Sequence, residues 1–404
     1  MLDPINKRIL FLPFISGNGD NGALDIEYLI TQAIEYKLSV INNIKVVDIR
    51  QKAKDTPLRP VDNTYSLAAI RVLADRYHSS YALVGKFDTG VDGLATQCYI
   101  DFYHIINFEV IGNWESSVGA FTYISSIDYD INTDLFNDFI NDSVNRIIEL
   151  MGIEIDYLIK QFLDEPLVKN PEAFKALVHA KKLAQTNDER LRKIEEALKH
   201  NPKMELAFAE KAKIYKQRRK YNEAIEYYNS AIEFAQSDCH RAYYYTDAGS
   251  AYAQSGDFGQ AIEYWEKAIN LYPGYINPYM NLALAYEENG DFAKAEEYLL
   301  DIQNLSPTDC RTYLGLARLY SKTENWLKAI GQYNNLLKLQ PADAWSHSNI
   351  ANCYLQVGKN KEAKNFFYKT LELDPEGEAG SYASQVIKAL EEASKKDWWK
   401  FWRR

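Results

Sequence analysis

The residues best placed to do chemistry near the start of the chain are three glycines. Gly17, Gly19 and Gly22 spell G-x-G-x-x-G behind the apolar run 8–14, and Asp48 lies at the end of the next apolar run. Between a strand and a helix this is a dinucleotide fingerprint, in which glycines admit a pyrophosphate to the backbone and the acid takes a ribose hydroxyl. Pro13 and the Phe14-Ile15-Ser16 spacer displace the glycines from the strand end, and Asp20, Asp25 and Glu27 bring negative charge to the phosphate position. The same residues make a Gly/Asn/Asp loop with an acid capping the next helix, and no cofactor is expected. Asp257-Phe258-Gly259 spells a kinase metal motif, yet no glycine-rich strand or HRD loop precedes it. Six histidines and four cysteines (Cys98, Cys239, Cys310, Cys353) never fall at metal-ligand or disulfide spacing. Reduced structural thiols and no metal are expected. With neither GxSxG nor HExxH present, the chain reads as a binding protein and not as an enzyme.

Charge narrows the partners. The 404 residues carry 46 Lys+Arg against 56 Asp+Glu, a formal net charge of −10. Residues 1–165 hold 13 basic against 24 acidic side chains, and the rest 33 against 32. Such a balance does not suit a nucleic-acid coat, which needs clustered Lys and Arg. The last ten residues, KKDWWKFWRR, run the other way. No apolar stretch reaches the ~18–20 residues of a membrane span. The start, Met1-Leu2-Asp3-Pro4, has no basic region followed by an apolar stretch. The expected location is the cytoplasm, or the periplasm had a signal peptide been removed.

The elements that must position any binding residues emerge from a period. Tyr252, Tyr286, Tyr320 and Tyr354 are 34 residues apart. The same step links Ala261, Ala295, Ala329 and Ala363, the small residues Gly249, Ala283, Ala317 and Ala351, and Pro273, Pro307, Pro341 and Pro375. This resembles the tetratricopeptide (TPR) repeat, a helix–turn–helix unit of 34 residues. The small residue and the Ala let helices approach closely, and the Pro ends the second helix. Phe208, Ala212, Tyr215, Tyr221, Ala224, Tyr228 and Ala231 continue the template upstream, joined to the next unit by about three extra residues around 239–241. Phe174, Leu177, Ala197 and Pro202 fit it more loosely, with Arg190 where Ala is expected. Six units are expected between about 171 and 377, closed by a capping helix near 378–396.

Residues 8–160 alternate differently. Runs at 8–14, 45–49 and 81–87 predict strands, 23–40, 66–77 and 135–150 helices, and 94–105 and 110–121 antiparallel strands. The expected fold is therefore an α/β N-terminal domain, a mixed sheet with helices, followed by an all-α TPR solenoid. The divisions are 1–165, 166–396 and a basic aromatic tail at 397–404. Leu12-Pro13-Phe14, VVDIR at 46–50 and YALVGKF at 81–87 look like the TolB amino-terminal-like or FlgO-like domain, a resemblance covering roughly 8–120. That resemblance implies a non-catalytic assembly or binding module of the kind that precedes TPR arrays in bacterial proteins.

In the TPR family the first helices line a concave groove, and the template positions that face it carry over residue by residue. They are Lys213 and Lys216, then Asn277, Met280 and Asn281, then Arg311, Arg318 and Lys322, then Trp345, Asn349, Asn352 and Gln356. A basic stripe with Asn and Trp suits an acidic or C-terminal peptide. Asn281 and Arg311 fall at carboxylate-clamp positions, while Thr246, Ser250 and Gly315 replace the clamp's Lys, Asn and Arg. The acidic N-terminal domain is a further candidate occupant of the groove, from the same chain or a second copy. In the tail, Trp398, Trp399, Trp402 and Arg403 fold back, dock into a protein or sit at an anionic membrane surface. The expected function is a non-enzymatic scaffold that recruits a protein or peptide. Two alternatives stand beside it: a sensor binding a nucleotide or small metabolite in the N-terminal domain, and a membrane-peripheral adaptor anchored by the tail.

Overall fold

A run of four fully buried apolar residues, Ile9, Leu10, Phe11 and Leu12, builds the centre of the N-terminal sheet. Strands buried on both faces read as continuous apolar runs, because helices cover each side. The computed structural model describes residues 7–12, 15–16, 21–39, 41, 44–48, 70, 73–74, 76, 79–89, 96–104, 109–115, 121–125, 128–131 and 133–402. It divides into two units, Asn6–Pro278 and Tyr279–Arg404.

In the first unit, β1 (Lys7–Phe11) pairs in parallel with β3 (Ile44–Asp48) on one side and β4 (Tyr81–Thr89) on the other. The helix α1 (Asn21–Leu38) makes the crossover from β1 to β3, as parallel pairing requires. A two-residue β2 (Ile15–Ser16) pairs in parallel with β4, and β5 (Thr96–His104), β6 (Glu109–Glu115), β7 (Phe121–Ser125) and β8 (Asp128–Ile131) add antiparallel neighbours. The period of two sorts the side chains. Leu10, Leu12, Ala82 and Val84 pack on the helical residues Ile70, Leu73 and Ala74. Ile9, Phe11, Leu83, Ile100 and Phe102 face Ile30, Ala33 and Ile34 of α1 and Phe136, Ile140 and Val144 of α2 (Thr133–Leu150). Where one strand over 110–121 was expected, β6 and β7 share the segment. The short helix α3 (Tyr157–Asp164) carries no period long enough to announce itself.

Asn137 of α2 joins this layer to the helices beyond it. Its side chain donates to the Val168 carbonyl and accepts from the Val168 amide, both at 2.9 Å. Among the described residues, six helix pairs then run from residue 171 to 373: α4 (Pro171–Val178) with α5 (Asn187–His200), α6 (Glu205–Gln217) with α7 (Tyr221–Phe234), α8 (Asp238–Ser255) with α9 (Phe258–Leu271), α10 (Ile276–Glu288) with α11 (Phe292–Leu305), α12 (Cys310–Lys322) with α13 (Trp326–Leu339), and α14 (Ala344–Gln356) with α15 (Asn360–Leu373). The region 134–392 is all-α, with the repeat pairs inside it. The loosely matching first pair departs from the template: a π-helical stretch, His179–Leu183, follows α4. Arg190 takes the Ala position there and lies 3.8 Å from the buried carboxylate of Glu210.

The repeat marks do the work their types imply. A Cβ on Gly249 would lie 2.6 Å from Trp265 Nε1, so only Gly lets α8 meet α9 at that point. Gly256, Gly290 and Gly358 close the intra-pair turns at positive φ, and Glu324 adopts φ 59° at the same 34-residue step. Asp257, from the sequence that spells a kinase motif, caps α9 by accepting from the Gln260 amide at 3.1 Å. The last helix, α16 (Glu378–Trp402), covers the sixth pair through Ala383 and Ile387, which pack on Ala363 and Phe367. It continues through Trp398, Trp399 and Trp402, and Arg403 lies outside the described residues. Among the described residues no helix is long and apolar enough to cross a membrane.

Candidate partner-binding face

Lys213 and Lys216 lie on the first helix of the second pair, and each is already compensated. Lys213 Nζ donates to Glu210 Oε1 at 3.1 Å, and Lys216 Nζ lies 3.6 Å from Asp247 Oδ1. Each ammonium also sits over a ring, of Tyr243 and Tyr228 respectively, which adds a cation–π attraction. Glu210 further meets Lys181 at 3.6 Å and Arg190 at 3.8 Å. Burial would raise its pKa, but Lys181, Lys213 and Arg190 outweigh that and hold the carboxyl down at about 2.

Beside Lys181, Glu210 and Lys213 lies a neighbour from the N-terminal layer. The C-terminal half of α1 packs where the first helices α4, α6 and α8 present their side chains. Tyr36 Oη and His240 Nδ1 are 3.0 Å apart, with their rings 4.6 Å apart. Burial, helped by Lys37, pushes the His240 pKa down to about 3, so the imidazole is neutral. Lys37 itself is buried, and its Nζ donates to the carbonyls of Leu163 and Glu165 at 2.5 and 2.7 Å, at the end of α3. Burial lowers its pKa to about 8. The Phe174 ring of α4 lies 6.3 Å from the Phe136 ring of α2.

In the unit Tyr279–Arg404 the corresponding face is exposed among the described residues. Arg311, Leu314 and Arg318 fall at i, i+3 and i+7 on α12 and so form one stripe. Stepping by 34 aligns Arg311 with Trp345, and Arg318 with Leu284 and Asn352. Leu284 is 48% exposed, Leu314 37% and Trp345 47%. Contacts between first helices tie the stripes together. Lys322 Nζ donates to Glu287 Oε1 of α10 at 3.2 Å, and Ser321 Oγ lies 3.7 Å from Cys353 Sγ of α14. Tyr382 Oη of α16 donates to Asn352 Oδ1 at 2.9 Å, and the Tyr382 ring lies 6.5 Å from Trp345.

The three cations expected here are not equivalent. Arg311 clasps Asp309 with three hydrogen bonds, Nε to Oδ1 and Oδ2 at 3.0 and 3.1 Å and Nη2 to Oδ2 at 2.6 Å, while Asp309 also caps α12 through the Arg311 amide. Lys322 is held by Glu287. Arg318 is exposed and makes no ion pair among the described residues. Asn281 and Asn349 are half-buried, and exposed Asn277, on the other unit's side of the division, donates to Tyr275 Oη at 3.1 Å. Leu284, Leu314 and Tyr382 were not among the residues singled out from sequence. Leu284 shares the Arg318 register, so the period that found Arg318 also contains it.

The remaining sequence candidates have plain positions. Asp48 is the last residue of β3, and Gly22 lies in the first turn of α1. Gly17 and Gly19 lie outside the described residues. Cys239, Cys310 and Cys353 are free thiols, and burial pushes the Cys239 pKa up to about 12. Among the described residues no three His, Cys, Asp or Glu side chains are grouped to hold a metal.

Comparison with known proteins agrees with the geometry of the helix pairs. Tetratricopeptide repeat profiles match residues 252–320, and also 207–238 and 346–376. No curated protein matches the chain. Among solved structures, PilW, described as a widely conserved type IV pilus biogenesis factor, is 20% identical, covers 54% of this chain and 99% of its own, and gives a TM-score of 0.43. YrrB, described as a TPR protein with an unusual peptide-binding site, is 17% identical over 48% of this chain and 97% of its own, with a TM-score of 0.38. MamA from Desulfovibrio magneticus RS-1 is 19% identical over 42% and 95%, with a TM-score of 0.37.

Proposed function

We propose that this tetratricopeptide repeat protein is a non-enzymatic scaffold that recruits a partner on the first helices of its last three repeat pairs. The observation that carries this reading is the combination of Leu284, Leu314 and Trp345, all exposed, with the uncompensated guanidinium of Arg318. Exposed aromatic and aliphatic groups around one available Arg are the ingredients of a protein-binding hot spot. They favour a segment that offers apolar side chains beside a carboxylate, since Arg takes carboxylates bidentately. Asn281, Asn349 and Asn352 would then fix the bound backbone, and Arg311 and Lys322 would contribute long-range attraction. The N-terminal layer serves as the assembly module, in keeping with its TolB amino-terminal-like pattern and with the parallel sheet β3-β1-β4.

Fluorescence anisotropy with a panel of acidic-apolar peptides tests the reading. The expected result is micromolar binding that Arg318→Glu weakens at least tenfold and Lys213→Glu leaves unchanged. Equal binding by the wild-type chain and Arg318→Glu overturns it.

A further inference from the structure

A cavity of about 140 Å³ lies where α1 meets α4, α6 and α8, far above the ~10–15 Å³ that a single water needs. Its wall combines three chemistries. Lys181 and Lys213 bring two ammonium groups of three donors each, which flank the Glu210 carboxylate at 3.6 and 3.1 Å, and Glu35 brings a second carboxylate. Phe174 and Leu177 supply an apolar side. Gln32 supplies an amide that is 4% exposed and whose Oε1 meets no hydrogen-bond partner among the described residues. A buried acceptor in that state is costly unless a donor reaches it.

We propose that this cavity binds a small zwitterion, an α-amino acid with an apolar side chain. Its carboxylate meets Lys181 and Lys213, its ammonium donates to Gln32 Oε1 beside Glu35, and its side chain lies on Phe174 and Leu177. The balance of charge selects this class. A dicarboxylate would set two negative charges against Glu35 and Glu210, and a diamine would set two positive charges against Lys181 and Lys213. A zwitterion satisfies both ends at once, and opposite charges in a low-dielectric wall attract strongly only when correctly paired. Because the wall is shared between α1 and the repeat helices, the bound amino acid also fastens the N-terminal layer to the array.

Isothermal titration of the full chain with each proteinogenic amino acid in turn tests this, with succinate and putrescine as charge controls. The expected result is saturable one-to-one binding of at least one apolar amino acid, no heat from either control, and a rise in melting temperature with ligand concentration. Gln32→Leu and Lys181→Met should each weaken binding at least tenfold. Lys181 is partly exposed, so its variant keeps the test available if Gln32→Leu does not fold. Absence of binding by every amino acid, the cavity then holding water only, overturns the proposal. So does equal affinity in a folded variant, or binding of succinate or putrescine at comparable affinity.

Discussion

The first three helix pairs and the last three carry the same repeat, and they use equivalent face positions in opposite ways. On α6 the groove-position lysines are paired to Glu210 and Asp247 and lie against tyrosine rings, and Lys213 and Glu210 also line the pocket at the end of α1. On α12 and α14 the equivalent stripe leaves Leu314, Arg318 and Trp345 in water. One repeat geometry therefore supports both an internal contact and an exposed surface, and the difference lies in what covers the helices. A covered face acquires the energetics of a core, where truncation and unpaired charge are expensive. An open face acquires those of a surface, where substitutions hardly change stability and are free to serve binding.

The largest test of that contrast is a pair of truncations. Phe174→Ala on the covered face should cost about 3–5 kcal/mol. Leu314→Ala on the open face should stay within about 0.5 kcal/mol. Urea denaturation followed by far-ultraviolet dichroism measures both, and similar losses would erase the distinction. A smaller effect is expected from the carboxylates. Glu210→Gln strands Lys181, Arg190 and Lys213 around one site and should cost about 3 kcal/mol. Glu287→Gln merely releases the half-exposed Lys322 and should cost under about 1 kcal/mol.

Acid sharpens the comparison next. His240 is neutral when folded, with its pKa down at about 3 from 6.5, and Glu210 is charged, at about 2 from 4.5. In both cases the unfolded chain binds more protons than the folded one between those values, so stability rises with pH there. Their contributions are complete above about pH 6.5 and 4.5 respectively, and are lost as pH falls toward 3 and 2. Amide hydrogen exchange read by peptide at about pH 7, 5 and 4 should show protection falling first in α6 and α8, ahead of α12 and α14. Uniform loss along the array would contradict it. The smallest effect belongs to a turn: Glu324 holds a positive φ that Gly256, Gly290 and Gly358 take at the same 34-residue step. Glu324→Gly should stabilise by up to about 1 kcal/mol, seen as a higher melting temperature.

Much of the repeat array was legible beforehand, for a local reason. Each TPR unit is a contact between helices adjacent in sequence, so its packing demands recur every 34 residues. Gly249 against Trp265 is one such demand, visible as a small residue in register with Ala283, Ala317 and Ala351. The strand at 7–11 was legible because burial on both faces writes an apolar run, Ile9 to Leu12, while the strands at 44–48 and 81–89 showed as shorter apolar runs. Leu284 and Leu314 also fall on first helices, but the exposure of an apolar residue is not a property of its sequence neighbourhood.

What the sequence by itself determined, then, is the helix pairs, their period, the parallel strands and the set of side chains that can face a groove. Only the tertiary structure decided which of those faces is filled. Tyr36 and His240 are 204 residues apart, and no periodic pattern encodes their meeting. Nor does composition tell that Arg311 and Lys322 are clasped while Arg318 is not, because Asp309 and Glu287 are two acids among 56 until distance selects them. Hydrogen bonding and ion pairing fall off within a few ångströms, so they are settled by approach in space, whereas helical periodicity is settled by the chain's own geometry.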